Sequence, residues 1–329
     1  MRAQITVRRF NPEHLASSKP KDSTEAISLT KSAGISHYTV DYNRGGTLLS
    51  ALLKIKAEID GTLTFRASCR AAICGSCLME VNGTVKLACQ VSLQAEFSRY
   101  EKIDIGPMPN TTVIKDLVVD MGTFWQKIKA ITPYVVSLHK QPFSTTSLKN
   151  IHEQLHHADG CIMCGACLSV CATHEVSPRF LGPAALAKAY RFMADPRDQI
   201  HTKRLELLQG EDGIWDCVRC NFCVSVCPKE VAPMEQIIRL RRLSIAAGLD
   251  QTVAARHITQ FSRIVGRFGR LNETLLPILM MWGDWKKLFR MIPLGIKMFL
   301  RGKMVFPLIW HKGHKKIQLL FAKGYGRRE

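Results

Sequence analysis

Near the start of the chain, Ile5 and Val7 alternate with polar residues, and His37 to Tyr42 repeats that rhythm. Each stretch is predicted to be a strand with one buried face. Up to about Ile59 the period then lengthens: Leu49, Leu52 and Leu53 share one side of a helix, and Thr47 can cap its first turn. The segment FRASCRAAICGSCLMEVNGTVKLAC returns to β-like runs on either side of Asn82-Gly83, a strong hairpin signal. Counting outward from that turn sets Val81 against Thr84 and Leu78 against Leu87. Cys89 thereby returns to the neighbourhood of Cys77.

After a linker containing Pro107, Pro109 and Asn110, the stretch VIKDLVVDMGTFWQKIKAITPYVV shifts from the two-residue period toward the helical one. A mainly helical region to about residue 250 is expected, with Pro183 at the first position of one helix and Pro196 beyond its end. Two cysteine runs of spacing C-x2-C-x2-C-x3-C bracket that helix, starting at Cys161 and Cys217, so the region carries an internal duplication. From about 251 the chain is apolar and basic together. Leu275 to Met281 and Ile292 to Trp310 are greasy, but Asp284, Lys286, Lys287, Arg290, Lys297, Arg301 and Lys303 interrupt every window of spanning length, which argues against a transmembrane helix.

With 329 residues, 46% of them hydrophobic, the chain can bury ordinary cores in two or three domains. The net charge of +19 is uneven: residues 251–329 hold sixteen Lys and Arg against three acids. Such a tail could neutralise phosphates, but it lacks interleaved aromatics in a recognisable nucleic-acid module, so no nucleic-acid partner is expected. A partner subunit or an anionic membrane surface suits it better. The N-terminus MRAQITVRRF has no signal-like apolar core, so self-directed export is not expected; riding out on an exported partner stays open.

Twelve cysteines are a heavy load for a reduced compartment unless they bind metal. Cys69, Cys74, Cys77 and Cys89 have the C-x4-C-x2-C…C spacing of a plant-type [2Fe–2S] site, and Gly75 and Ser76 are small enough to let backbone N–H groups reach the sulfurs. A tetrahedral zinc site is the alternative, although zinc ligands usually arrive as two short pairs. In each later run the first three cysteines wrap one cubane and the fourth ligates the other cluster. Cys161, Cys164, Cys167 and Cys227 therefore form one expected [4Fe–4S] set, and Cys217, Cys220, Cys223 and Cys171 the second. No cysteine is left over.

LTFRASCRAAICGSC, MPNTTVIKDLVVDM and the Cys227-Pro228 ending together resemble the iron–sulfur subunit of succinate dehydrogenase and fumarate reductase, from about residue 1 to 240. The resemblance implies an α+β chain in three parts. A β-grasp plant-type ferredoxin occupies 1–110, an α-helical bacterial-type ferredoxin 111–250, and a basic helical extension 251–329. It also implies docking on an FAD-bearing flavoprotein with a dicarboxylate site. Most members have an aliphatic residue where this chain has Cys220, and so build a [3Fe–4S] cluster; a [4Fe–4S] cluster of lower potential is expected here, with [3Fe–4S] as the alternative. The family's quinone site uses a Trp and a His where this chain has Val176 and Val218, so that pocket is expected to be absent. The tail, with HITQFSRIVGRFGRLNETLLP and MIPLGIKMFLRGKMVFP, looks like the small subunit of heterodisulfide reductases, which implies a CCG-domain partner of the methylmenaquinol:fumarate reductase type.

The resulting expectation is an electron relay between flavoprotein and a quinone-linked CCG subunit, with no bond chemistry of its own. It would be peripheral on the inner membrane, with the cytoplasmic side favoured. The alternative is a relay for a glycerol-3-phosphate dehydrogenase or a heterodisulfide- or thiol-linked reductase. His152, His156 and His157 read as a solvated helix face rather than a metal site. Trp282 and Trp285 read as packing or interface anchors, and Arg66, Arg70 and Arg219 as charge balance for the clusters or as steering groups.

Overall fold

The computed structural model describes residues 2–12, 34–137, 151, 153–303 and 313–325. It divides into two compact units, Met1–Leu240 and Arg241–Glu329.

In the first unit β1 (Arg2–Arg8) pairs antiparallel with β2 (Ile35–Asp41), burying Ala3, Ile5 and Val7 as the alternation requires. β3 (Leu78–Val81) and β4 (Thr84–Leu87) form the hairpin in the register counted from the turn, with Val81 opposite Thr84 and Leu78 opposite Leu87. Asn82 and Gly83 both take positive φ, 49° and 75°, as a turn matched to strand twist demands. β5 (Ile103–Gly106) joins the two pairs, parallel to β1 and antiparallel to β3, so the order is β2-β1-β5-β3-β4.

α1 (Leu48–Lys54) starts where the Thr47 hydroxyl accepts from the Ser50 N–H at 3.2 Å, and it runs on through a wider π-type turn, Ile55–Ile59. Leu48, Leu49, Leu52 and Ile55 share one core with Ile5, Leu87 and Ile103. Truncating any one of them to Ala would cost about 2–5 kcal/mol, so this helix fixes the sheet behind the cysteine loop. α2 (Leu93–Tyr100), capped by Ser92, follows β4.

The stretch from Val113 changes from the two-residue to the helical period along its length. It first makes a small hairpin, β6 (Val113–Lys115) and β7 (Val118–Val119), and only then α3 (Gly122–Ala130). The reason is long-range. Asp116, at φ 48° in the turn, is buried, and its carboxylate accepts from Arg9 Nε at 2.8 Å, Thr64 N at 2.9 Å and Phe10 N at 3.2 Å. Arg9 also donates to Asp60 at 2.6 Å and to the Tyr38 hydroxyl at 2.9 Å. Hydrogen bonds from Thr62 and Tyr38, then Arg9, hold the Asp60 carboxyl well below the usual carboxylate range.

Beyond residue 150 the first unit is helical. α4 (Ala166–Ser169), α5 (Ala172–Val176), α6 (Gly182–Met193), α7 (His201–Leu208), α8 (Phe222–Ser225) and α9 (Pro233–Ala246) follow in order, the last running past the end of the unit. α6 has Pro183 in its first turn and ends before Pro196, and nearly all of it is buried. Arg204 on α7 donates to the carbonyls of Ile131, Thr132 and Tyr134 and forks onto Asp198, satisfying groups that the end of α3 leaves open.

The second unit carries α10 (Val253–Phe268), α11 (Leu275–Met280), α12 (Trp285–Leu300) and α13 (His314–Tyr325). A Cβ on Gly266 of α10 would stand 3.2 Å from Phe321 of α13, so those two helices meet closely. Among the described residues no helix is long and apolar enough to cross a membrane.

Replacing Arg9 by Met leaves the Asp116 carboxylate buried without its cation, and is expected to cost about 3 kcal/mol in urea unfolding. Asp60 has a lowered folded pKa, so its contribution is present above the ordinary carboxylate range and is lost as pH falls through the lowered value. Arg9→Met should therefore also flatten the acid limb of the stability–pH curve.

Candidate metal centres

All twelve cysteines are free thiols, and the structure gathers them into three neighbouring groups. The first is set by the loop between the π-type turn and β3 and by the hairpin. Arg70, Ala72 and Gly75 all have positive φ, which folds the loop so that its amides turn inward. The N–H groups of Ala71, Ile73 and Cys74 lie 3.4, 3.4 and 3.3 Å from Cys69 Sγ, and that of Ala72 lies 3.3 Å from Cys89 Sγ. The Cys89 N–H stands 3.5 Å from Cys77 Sγ, the juxtaposition counted from the hairpin. This is a cradle of donors aimed at sulfur, the environment a thiolate-bound cluster uses. Hydrogen bonds, from the Ser76 side chain first, bring the Cys74 thiol down to about 6, whereas burial pushes Cys77 up to about 11.

Gly75 has a further role that its small size hinted at without specifying. A Cβ there would fall 2.6 Å from the Cβ of Cys164 and 3.0 Å from its Cα. The first cysteine loop thus rests directly on the second group.

That second group lines a cavity walled by Cys161, Cys164, Cys167 and Cys227 together with Ile162 and Val231. The Val231 N–H points at Cys227 Sγ from 3.4 Å. Burial pushes Cys164 up to about 11 and Cys167 well above the usual thiol value, and each is raised further by the charges of Cys161 and Cys227. In the third group Cys223 is pushed up to about 12 by burial and then by the charges of Cys217, Cys171 and Cys220. Burial raises Cys171, backbone N–H groups of His174 and Thr173 favour its thiolate, and the charges of Cys217 and Cys220 add to the rise. The helical turns α4 and α8, which carry Cys167 and Cys223, pack against each other, so the second and third groups adjoin.

The duplication is visible residue by residue. A short 3-10 turn precedes each run, Ala158–Gly160 and Ile214–Asp216. Positive φ follows at Met163 and Gly165 in one run and at Arg219 and Asn221 in the other, then comes one helical turn, α4 or α8. The runs differ in exposure: Cys220 is exposed, its counterpart Cys164 half-buried. Among the described residues no three His, Cys, Asp or Glu close to the spacing needed round one ion, where thiolates sit about 2.3 Å from a shared centre. A cluster interposes its own irons and sulfides, so its ligands stand further apart.

His156 and His157 do not lie on a helix face. Both take positive φ, 46° and 63°, in the turn that leads to Cys161; His152 lies outside the described residues. Arg66, Arg70 and Arg219 are exposed. Two residues near the third group escaped sequence reasoning. Lys127 on α3 is buried, donates to the carbonyls of Pro178 and Phe180, and is lowered by burial, with the charges of Asp212 and Cys171 acting the other way. His174 is buried on α5, where burial and then Lys127 lower its pKa. A lysine amid the apolar positions of α3 was the one available signal.

A 2Fe-2S iron–sulfur cluster binding domain model matches residues 4–126, and a 4Fe-4S dicluster domain model matches 157–231. The chain is therefore an electron-transfer protein carrying one two-iron centre and a pair of larger iron–sulfur centres. It is 35% identical over 246 residues to the fumarate reductase iron-sulfur subunit of Haemophilus influenzae, covering 71% of this chain and 89% of that one. It is 37% identical over 202 residues to the Escherichia coli subunit of the same name, covering 61% and 82%. A chain of the Mycobacterium smegmatis Sdh1 complex in the apo form shares the fold, with a TM-score of 0.62 at 23% identity over 74% of this chain and 96% of that one. The chain belongs to the family of succinate dehydrogenase and fumarate reductase iron–sulfur subunits.

Gly75 and Gly83 share a φ of 75°, but a Cβ on Gly83 meets nothing within 4 Å. Gly83→Ala should cost only the backbone strain, about 1 kcal/mol, whereas Gly75→Ala adds overpacking of about 1–3 kcal/mol and should shed iron from both flanking groups. Thermal unfolding and iron content compare the two. Since burial keeps Cys164, Cys167 and Cys223 protonated in the empty protein, iron loading should be faster in mildly alkaline than in neutral buffer, followed by the growth of visible absorbance.

Proposed function

We propose that Cys69, Cys74, Cys77 and Cys89 hold the [2Fe–2S] cluster, Cys161, Cys164, Cys167 and Cys227 one [4Fe–4S] cluster, and Cys171, Cys217, Cys220 and Cys223 a second [4Fe–4S] cluster. When bound, these centres pass single electrons along the chain. The observation that carries the reading is contiguity: Gly75 lies on Cys164, and the helical turns that carry Cys167 and Cys223 pack together, so the first group adjoins the second and the second adjoins the third. The buried thiols and the inward amides keep water away and fix the ligands, which is the work this chain does.

At one end of the row the exposed loop of Cys69 and Cys74, beside Arg66 and Arg70, suits an acidic edge of an FAD-bearing flavoprotein with a dicarboxylate site. At the other end Cys220 is exposed, its sequence neighbours Val218 and Phe222 are 66% and 55% exposed, and Val176, at the end of the helix that follows Cys171, is 87% exposed. Open apolar side chains around a terminal centre suit a protein acceptor better than a closed quinone pocket. We take that acceptor to be a quinone-linked CCG-domain subunit, with the complex peripheral on the membrane and its cytoplasmic side favoured.

Anaerobically prepared protein should contain about ten irons, one two-iron and two four-iron centres. Cys220→Val should remove about one iron and bring up a [3Fe–4S] paramagnetic signal in the oxidised protein. The same signal at full strength in the anaerobic wild type would reject the second [4Fe–4S] cluster. Purification of the native complex should bring down a flavin subunit with fumarate activity and a CCG-domain subunit; a flavin partner inactive on fumarate and succinate would reject the dicarboxylate assignment.

A further inference from the structure

α12 is open along its whole length. None of its sixteen residues is buried. Trp285, Phe289, Ile292, Ile296 and Phe299 recur at alternating spacings of four and three, which places them in one stripe. They are 56%, 67%, 48%, 56% and 57% exposed. By the same periodicity Lys286, Arg290, Lys297 and Arg301 fall along one flank of the stripe, with Lys287, Leu294 and Met298 beyond them, and no Asp or Glu occurs between Trp285 and Lys303. The rings of Trp282 and Trp285 stand 5.8 Å apart at the start of the helix, both open to solvent.

We propose that α12 lies in the plane of an anionic lipid bilayer, so that this chain touches the membrane directly. The proposal deepens the peripheral location proposed above. A helix of this length is about 24 Å long and carries cations along one side, so it cannot cross the bilayer. It can sink its stripe to the boundary of the acyl chains. The lysine and arginine stems then cover the flanks of the stripe while their charges reach anionic headgroups, and the paired tryptophans take the interfacial level they prefer. A lipid leaflet supplies apolar depth and negative surface together. A protein groove would have to be both greasy along its floor and acidic along its rim to match the same helix.

The test uses the full iron-loaded chain with vesicles of phosphatidylcholine alone or mixed with phosphatidylglycerol. Binding should require the anionic lipid and weaken as salt rises, and tryptophan emission should shift blue and be quenched by bromolipids, a signal that weakens in Trp285→Phe and weakens further when Trp282→Phe is added. Lys286→Gln with Arg290→Gln should weaken binding roughly thirtyfold, and Phe289→Gln with Ile296→Gln at least about tenfold. All four positions are exposed in the fold, and unchanged visible absorbance would show that the clusters survive. Vesicle binding unaltered by either pair overturns the proposal, as does Trp285 remaining open to aqueous quenchers on vesicles. If the apolar pair instead releases a co-purified subunit while lipid binding persists, the stripe is a protein interface and the proposal fails. If the native complex stays on its membranes with both pairs in place, α12 is not the anchor, yet the peripheral location stands.

Discussion

The close approach of Gly75 to Cys164 is the constraint on which the relay geometry depends. With a positive φ and no side chain, this residue lets one ligand-bearing loop lie against another without an intervening layer of protein. Each neighbouring element serves that contact. The hairpin of β3 and β4 fixes Cys77 beside Cys89, α1 holds the sheet behind them, and the Arg9–Asp116 cluster ties the start of the chain to Thr64 just ahead of the loop. Asp116 also begins the turn that delivers the chain to α3 and on toward the helical part.

The duplicated runs solve a second problem, that of keeping thiols out of water yet able to lose their protons. Burial raises Cys164, Cys167, Cys171 and Cys223, and mutual repulsion raises them further, so the empty groups hold protons that bound iron would displace. Backbone N–H groups from the short turns after each run act in the opposite sense. The two halves are near copies in backbone, but they face different surroundings: the first is walled in beneath the two-iron loop, and the second opens at Cys220 among exposed valines and a phenylalanine. A sheltered middle group between two open ends is what a conductor between two partners needs.

Much of the candidate site was legible in the sequence because its determinants are local. Asn82-Gly83 sets the hairpin register by turn geometry alone, and the spacing of the cysteines carries their grouping. The strand and helix periods identified β1, β2 and α1, and Thr47 caps α1 as expected. What stayed hidden depends on contacts between distant residues. The β6–β7 hairpin exists because Asp116 meets Arg9 and Thr64, partners far away in sequence. The left-handed turn at His156 and His157 replaces the expected helix face, and Gln236 reaches the His156 carbonyl at 2.8 Å to brace it. The use of Gly75 as clearance for Cys164, and the buried ammonium of Lys127, likewise follow from tertiary placement that no local pattern encodes.

The central claim is a single row of three clusters with exchanged fourth ligands between the later two. Iron-edge anomalous diffraction from crystals grown and frozen without oxygen tests it most directly. The expected map has three separate iron peaks in a line, with Cys227 bound to the middle one alongside Cys161, Cys164 and Cys167, and Cys171 bound to the last. A map in which Cys227 joins Cys217, Cys220 and Cys223 on one peak, or in which the middle peak is missing, would contradict it.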